Sequence, residues 1–136
     1  MNYCVLLDCL ANRAKPIQQV KDTGLLQTAY DLIGCTNVQL VPLYPDRLPK
    51  GYEAVTDGEL WCRECSKIFN PLASWLYGCD DHGSPIMNNV VIFKLTEDED
   101  DFDWMTEDEA RKICDDLNAR ADEIFDLTMF KAMTAH

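Results

Sequence analysis

The chain has 136 residues, with 24 acidic and 12 basic side chains and a formal net charge of −12 at pH 7. Its length suits one domain, and its hydrophobic fraction of 47% argues against a disordered acidic tail. The charge excludes direct binding to bare nucleic acid or an anionic membrane, because phosphate contacts need a basic face. No apolar run approaches the roughly 20 residues of a membrane span, and no basic signal-peptide region is present, so we expect a cytoplasmic protein with reduced thiols.

Strand and helix signals alternate in the first part of the chain. Residues 3–8 and 15–21 predict strands. A helix capped by Asp22 or Thr23 is expected next, because apolar residues recur at helical spacing from Leu25 to Ile33 and Gly34 follows as a stop. Residues 38–44 predict a further strand, which prolines close.

Two dipeptides give sharper local signals. Asp57-Gly58 lies between two strand-like runs, residues 52–56 and 59–62, and this arrangement predicts a tight hairpin. Asn70-Pro71 is typical of a helix start, with a capping side chain followed by proline at the first helical position. The short helix that it begins is expected to end at Gly78.

A strand over residues 90–95 and a long C-terminal helix complete the predicted elements. The helix starts at Thr106, because Thr106 and Glu109 have the spacing of a capping box. Apolar residues then follow at a 3.6-residue period to about residue 130, which predicts one amphipathic helix with one buried face. The predicted buried stripe consists of Ala110, Ile113, Cys114, Leu117, Ala121, Ile124, Phe125 and Thr128.

These elements predict an α+β single domain with a mixed or antiparallel sheet, two short helices and a long C-terminal amphipathic helix. Residues 1–95 are expected to form the core, and residues 96–136 an acidic loop and the helix packed on that core. The charge divides at the same place. Residues 97–136 hold 14 acidic and 4 basic side chains, whereas residues 1–96 carry a net charge of only −2.

The acidic C-terminal third, residues 97–136, predicts a surface that binds a basic partner protein. Nine acids and no base lie between Glu97 and Glu109, and four aspartates fall opposite the apolar stripe of the predicted helix. Such carboxylates compete for the Lys and Arg side chains that hold nucleic acid in a basic groove. Phe102 and Trp104 either anchor a partner or dock on the parent domain, and a solvated acidic run is the alternative. The predicted partner-binding residues are Asp98, Asp100, Asp101, Asp103, Asp108, Asp115, Asp122 and Asp126.

Four residues, Cys62, Cys65, Cys79 and His82, have the spacing of a zinc site, C-x2-C-x13-C-x2-H. Thiolate and imidazole are ligands that zinc prefers, and two such pairs close a four-ligand site of the structural type. We therefore predict a structural zinc ion that staples residues 62–82. Free thiols are the alternative interpretation, and a redox pair is disfavoured because no helix is predicted to start at Cys62.

No enzyme motif is present: the sequence lacks a glycine-rich phosphate loop, a nucleophile elbow and a two-histidine metal motif. We therefore expect a non-enzymatic protein. Three alternatives stay open, namely a metal-binding regulatory module that contacts another protein, a small enzyme, and a protein that sequesters a small nucleotide. The last would use a local basic pocket built from Arg13, Lys15 or Arg47.

The chain also resembles an uncharacterised domain family found in small proteins of phages, plasmids and conjugative elements of Gram-positive bacteria. The resemblance covers about residues 1–95 and lies in the segments 31–35 (DLIGC), 38–43 (VQLVPL), 70–78 (NPLASWLYG) and 85–92 (PIMNNVVI). Family members more usually carry an acidic, glycine-containing hairpin where this chain has Cys62 to Cys65.

The family has no established activity, but the resemblance implies a mobile-element setting. Small acidic proteins of such elements often resemble inhibitors of host defence, including anti-CRISPR proteins. We therefore expect an inhibitor that binds a basic host protein in the bacterial cytoplasm and makes no direct contact with nucleic acid or membrane. A CRISPR nuclease is one candidate partner.

Overall fold

The structure, a computed structural model, describes residues 2–19, 22–58 and 67–134. Within these ranges the chain is an α+β single domain with one antiparallel sheet, as the sequence predicts. The strands are β1 (Tyr3–Asp8), β2 (Arg13–Gln18), β3 (Val38–Leu40), β4 (Tyr52–Asp57), β5 (Val90–Leu95) and β6 (Phe102–Asp103). The helices are α1 (Leu25–Ile33), α2 (Pro71–Tyr77), α3 (Cys79–His82), α4 (Glu107–Asn118) and α5 (Ala121–Thr134).

The sheet has the strand order β2-β1-β5-β4-β3, with every neighbouring pair antiparallel. The short β6 pairs with the C-terminal end of β5, on the side where β1 pairs with its N-terminal end. A bridge between Tyr3 and Met105 joins β1 to the residues after β6. The C-terminal third is therefore tied directly to the first strand.

Both faces of the sheet are covered, and β5 shows how. Val90 and Ile92 belong to a core beneath α2, α4 and α5, whereas Val91 and Phe93 belong to a second core beneath α1. Alternate residues of a strand point to opposite faces, so a continuous apolar run supplies both cores. The first core also joins residues from both predicted parts of the chain, since Leu7 and Ile124 lie in one cluster.

The structure divides the predicted long C-terminal helix in two, since α4 ends at Asn118 and α5 begins at Ala121. The Asn118 amide pairs with the backbone of β2, accepting from Ala14 N–H at 2.8 Å and donating to Ala14 C=O at 2.9 Å. The Arg120 guanidinium lies 4.8 Å from the centroid of the Trp75 ring. These distant contacts hold the residues at which the helix is interrupted.

The predicted buried stripe nevertheless lies in the interior, except for Phe125, which is 38% exposed. The interruption spans only residues 119–120, so it preserves the approximate phase of the pattern. The buried members are Ala110, Ile113, Cys114, Leu117, Ala121, Ile124 and Thr128. Thr128 satisfies its hydroxyl by donating to the carbonyl of Ile124 at 2.8 Å.

Four predicted helix ends are confirmed, whereas α1 begins at Leu25 after Gly24 and is capped by neither Asp22 nor Thr23. Asn70 caps α2, Thr106 and Glu109 form the capping box of α4, and Gly34 and Gly78 end their helices with left-handed backbone. The predicted strand over 15–21 begins earlier, as β2, and the one over 38–44 is shorter, as β3.

The structure describes the hairpin predicted at Asp57-Gly58 only as far as Gly58. The second arm, residues 59–62, lies outside the described residues. Within the described ranges, β4 has β5 on one side and β3 on the other, and Gly58 N–H donates to Asn37 C=O at 2.9 Å in continuation of the β3 pairing. None of the helices in the described part of the chain has the length and apolar composition to span a membrane.

Candidate functional site

The acidic hairpin, residues 96–103, consists of the turn that follows β5 and of strand β6. Its own hydrogen bonds hold the turn. The Thr96 hydroxyl donates to Asp98 Oδ1 at 2.6 Å and accepts from Asp101 N–H at 3.3 Å. Thr96 N–H donates to the Asp101 carbonyl at 3.0 Å. The hydrogen bond from Thr96 lowers the pKa of the Asp98 carboxyl. The turn is thus ordered while Asp98, Asp100, Asp101 and Asp103 stay exposed.

The acidic hairpin forms one wall of a cleft of about 190 Å³, which we call the acidic cleft. Its opposite wall includes Glu53 of β4 and Leu40 of β3. Burial first, and then the charge of Glu99, raise the pKa of the Glu53 carboxyl, as expected where like charges are crowded. The cleft is lined by Leu40, Glu53, Leu95, Glu99, Asp100, Asp101 and Phe102, and none of these described residues is basic.

Glu53 is a member of this cleft that sequence reasoning missed. It lies more than forty residues before the acidic run, in a strand, and only the pairing of β4 with β5 brings it beside the hairpin. The signal in the sequence was its position one residue into a predicted strand, which fixes a face but not a neighbour.

The two aromatic residues of the acidic run dock on the domain. The ring centroids of Phe93 and Phe102 are 5.6 Å apart, and those of Phe93 and Trp104 are 6.2 Å apart. Both rings belong to the fringe of the core beneath α1. Both rings therefore pack within the protein, and Phe102 also lines the acidic cleft.

The remaining predicted partner-binding residues, here called the helix aspartates, are also exposed. Asp108 and Asp115 lie on α4, and Asp122 and Asp126 lie on α5. Because α4 packs mainly on β2 while α5 packs on α2 and α3, these four carboxylates belong to two helices with different supports. They lie on two helices instead of the single helix that the sequence predicts.

Two of the predicted zinc ligands are described, and both are hydrogen-bonded within the protein. The Cys79 thiol is fully buried and donates towards the Thr128 carbonyl at 3.6 Å. Burial, followed by the charge of Asp80, raises the pKa of this thiol, which disfavours the thiolate that zinc binds. His82 Nε2 lies 2.8 Å from the Tyr77 carbonyl.

His82 Nδ1 accepts from Ser84 N–H at 3.0 Å, so both of its ring nitrogens have partners. Cys62 and Cys65 lie outside the described residues. Within the described ranges no group of three or more His, Cys, Asp or Glu side chains could hold a metal ion. Zinc binding by Cys79 and His82 would have to replace their present hydrogen bonds, and the site stays a prediction.

A second cavity, of about 340 Å³, lies where the loop after β3 meets α2, α4 and α5, and we call it the arginine cavity. Two guanidinium groups lie against the Trp75 ring in its charged wall. Their distances from the ring centroid are 4.7 Å for Arg47 and 4.8 Å for Arg120. Its lining is Asp46, Arg47, Leu48, Pro49, Trp75, Ile113, Asp116, Leu117, Ala119, Arg120 and Ile124.

Arg47 is fixed in this wall by polar and aromatic partners. It donates to the Trp75 carbonyl at 2.6 Å, forms a two-pronged ion pair with Asp80, and lies 4.3 Å from the ring centroid of Tyr44. The ion pair lowers the pKa of the Asp80 carboxyl. Arg13 and Lys15, proposed with Arg47 for a basic pocket, do not line this cavity, and Arg120 is the cation that joins it instead.

The fold and these surfaces define a small α+β protein with an acidic cleft and a separate arginine cavity. Comparison with protein-family models, curated proteins and solved structures finds no match to the chain.

Proposed function

We propose that the protein is a non-enzymatic inhibitor that binds a basic, nucleic-acid-handling host defence protein in the bacterial cytoplasm, as anti-CRISPR proteins do. The observation that supports this function is the acidic cleft. Carboxylates from two separate parts of the chain, Glu53 of β4 and Glu99 to Asp101 of the hairpin, surround one concave site.

The cleft suits a Lys or Arg side chain of the partner. Long basic side chains lay their aliphatic stems along apolar surface while the charged head meets water or an anion. Leu40, which is 53% exposed, and Phe102 offer the apolar wall, and the carboxylates offer the anions. A basic nucleic-acid groove carries many such side chains, and the net charge of −12 steers the approach.

The hydrogen bonds of the acidic hairpin favour binding because they fix the carboxylates before the partner arrives. Thr96 and the backbone of Asp101 hold the turn, so less conformational freedom is lost on association. The helix aspartates contribute a broader negative surface to the encounter.

The proposal is tested with a purified CRISPR nuclease loaded with its guide RNA. We compare the wild-type chain with two triple variants of equal net charge, Glu99→Gln/Asp100→Asn/Asp101→Asn and Asp115→Asn/Asp122→Asn/Asp126→Asn. The cleft variant should bind at least about tenfold more weakly and lose inhibition of target cleavage, and the helix variant should lose less than about threefold. Wild-type binding should also weaken as salt rises.

Equal weakening by the two variants would assign binding to total charge and reject the cleft. The CRISPR nuclease is one member of the proposed class, so a pulldown from a host lysate covers the others. If neither the nuclease nor any nucleic-acid-handling protein of the lysate is captured in a manner that added DNA competes away, the inhibitor function is wrong.

A structural zinc ion on Cys62, Cys65, Cys79 and His82 remains a separate proposal, and with it a module that contacts its partner through a zinc-stabilised segment. The measurement is zinc per chain in protein purified without added metal. A ratio near zero that is unchanged in Cys62→Ser would reject the site. Partner binding lost in Cys62→Ser while the acidic cleft is intact would favour the zinc-dependent module.

A further inference from the structure

We propose that the arginine cavity binds a small organic monocarboxylate with an apolar body. The site is distinct from the acidic cleft, since the two cavities share no lining residue. Its volume of about 340 Å³ lies at the small end of the range, roughly 300–1,000 Å³, that is typical of ligand pockets.

Arg120 supplies the group that meets the carboxylate. Its side chain is 48% exposed, and among the described residues it pairs with Glu123, whose carboxylate lies 3.9 Å away on a side chain that is itself 64% exposed. An exposed pair of this length contributes little to stability, so a ligand carboxylate can replace Glu123 at small cost. The Trp75 ring stabilises the position of the Arg120 guanidinium through a cation–π contact.

Arg47 has a different part, because its hydrogen-bonding capacity is largely taken up. It is only 15% exposed and holds Asp80 and the Trp75 carbonyl. It therefore fixes Trp75 while its charge is compensated by Asp80, and Arg120 is the cation among the described lining residues that is positioned for a direct ion pair. One available cation matches a ligand with one negative charge.

The rest of the cavity selects the body and the charge of the ligand. Apolar side chains form the floor, namely Leu48, Ile113, Leu117 and Ile124. Asp46 and Asp116 also line the cavity, and their charges repel a ligand with two negative charges more strongly than a ligand with one. A phosphate ester with two charges is thus disfavoured, which argues against the small-nucleotide alternative at this site. Asp46 also adopts left-handed backbone, with φ 67°.

The test uses three simple probes of equal ring size: phenylacetate, phenylacetamide and phenyl phosphate. Backbone amide signals of residues 116–124 and the indole N–H signal of Trp75 report binding by NMR titration. We expect phenylacetate to shift these signals, and both the neutral amide and the phosphate to bind at least about tenfold more weakly. Arg120→Gln should weaken phenylacetate binding by at least about tenfold.

Arg111→Gln is the matched control, because it removes the same charge from the exposed side of α4, where Arg111 pairs with Glu107. It should leave the affinity unchanged, as should the triple variant of the acidic hairpin, so failure here and failure of the proposed inhibitor function are distinguishable. The proposal is overturned if phenylacetate shifts no signal at about 20 mM. It is also overturned if phenylacetamide binds equally well, or if a capped peptide ending in Phe binds far more tightly than phenylacetate, which would assign the cavity to a protein C-terminus.

Discussion

Helices α2 and α4 begin with the same device, a side chain that accepts from the backbone N–H three residues later, but the two caps have different surroundings. The Thr106 hydroxyl accepts from Glu109 N–H at 3.2 Å on the surface. The Asn70 amide oxygen accepts from Ala73 N–H at 3.1 Å, and its amide nitrogen also donates to the carbonyl of Leu7 at 3.0 Å. The cap of α2 is thus also a link to β1.

The same local sequence signal can therefore contribute different amounts to stability, depending on whether the capping residue is exposed or buried. Asn70 is 1% exposed and donates to a second carbonyl, that of Asn88, at 2.8 Å, whereas Thr106 is exposed. Removing a surface cap costs one hydrogen bond that water can replace. Removing a buried cap leaves its hydrogen-bond partners unsatisfied, because water cannot readily replace the lost bonds.

The largest expected effect is that of Asn70→Ala, about 4 kcal/mol of unfolding free energy, from the lost cap, the unsatisfied buried carbonyl of Leu7 and the part-buried carbonyl of Asn88. Thr106→Ala should cost only about 1 kcal/mol. Urea unfolding followed by circular dichroism measures both. Asn70→Ser keeps a cap acceptor but no amide donor, and it should recover only about 1 kcal/mol of the loss. Equal costs for Asn70→Ala and Thr106→Ala would contradict the comparison.

The two glycine helix ends form a second pair, with a smaller expected effect. Gly34 and Gly78 have φ values of 80° and 95°, so a side chain is strained at either position. A Cβ at Gly34 meets no atom within 4 Å, whereas a Cβ at Gly78 would collide with the ring of Tyr44. Gly34→Ala should therefore cost about 1 kcal/mol and Gly78→Ala about 3 kcal/mol.

Thermal unfolding of the two alanine variants measures this difference. The double variant Gly78→Ala/Tyr44→Ala provides the control, since it removes the ring that the new methyl group would meet. If the Tyr44 contact is the cause, Gly78→Ala should cost about 1 kcal/mol in the Tyr44→Ala background, as at Gly34. A cost that stays at about 3 kcal/mol would place the strain in the backbone alone.

The same division explains what the sequence could predict. The Thr106 capping box, the Asn70-Pro71 start and the glycine stops are local, since each depends on residues within one helical turn, and all are confirmed. The apolar stripe of the C-terminal third is likewise periodic, and the structure buries nearly all of it. Burial patterns follow from spacing because spacing fixes the face of an element.

The missed features depend on distant partners. Residues 117–121, Leu-Asn-Ala-Arg-Ala, contain neither glycine nor proline, so nothing local predicts the end of α4. The residues at this helix end contact distant partners. Asn118 bonds to Ala14, which is 104 residues away, and Arg120 lies against Trp75. For the same reason the sequence could not join Arg120 to Arg47, or Glu53 to the acidic hairpin. The position of β4 between β3 and β5 likewise depends on strands that lie far apart in the sequence.

The smallest expected effect concerns Glu107 and Glu109, two carboxylates of the first turn of α4. Glu107 contacts Arg111 on its own helix at 2.8 Å, whereas Glu109 accepts from Tyr52 of β4 at 2.7 Å and from Lys94 of β5 at 3.2 Å. Desolvation raises the pKa of Glu109, but hydrogen bonds from Thr106 N–H, Tyr52 and Lys94 outweigh it and lower the pKa from 4.5 to about 2.

Because this pKa is lower in the folded than in the unfolded protein, the stabilisation is complete above about pH 5 and is lost as the pH falls towards 2. Glu109→Gln keeps the capping oxygen and removes the charge, so it should cost about 1 kcal/mol at pH 7 after allowance for solvent screening. That cost should shrink towards zero at pH 2, and Glu107→Gln should cost only about 0.3 kcal/mol at pH 7. Urea midpoints at both pH values measure this, and a pH-independent cost for Glu109→Gln would show that its links to β4 and β5 do not depend on charge.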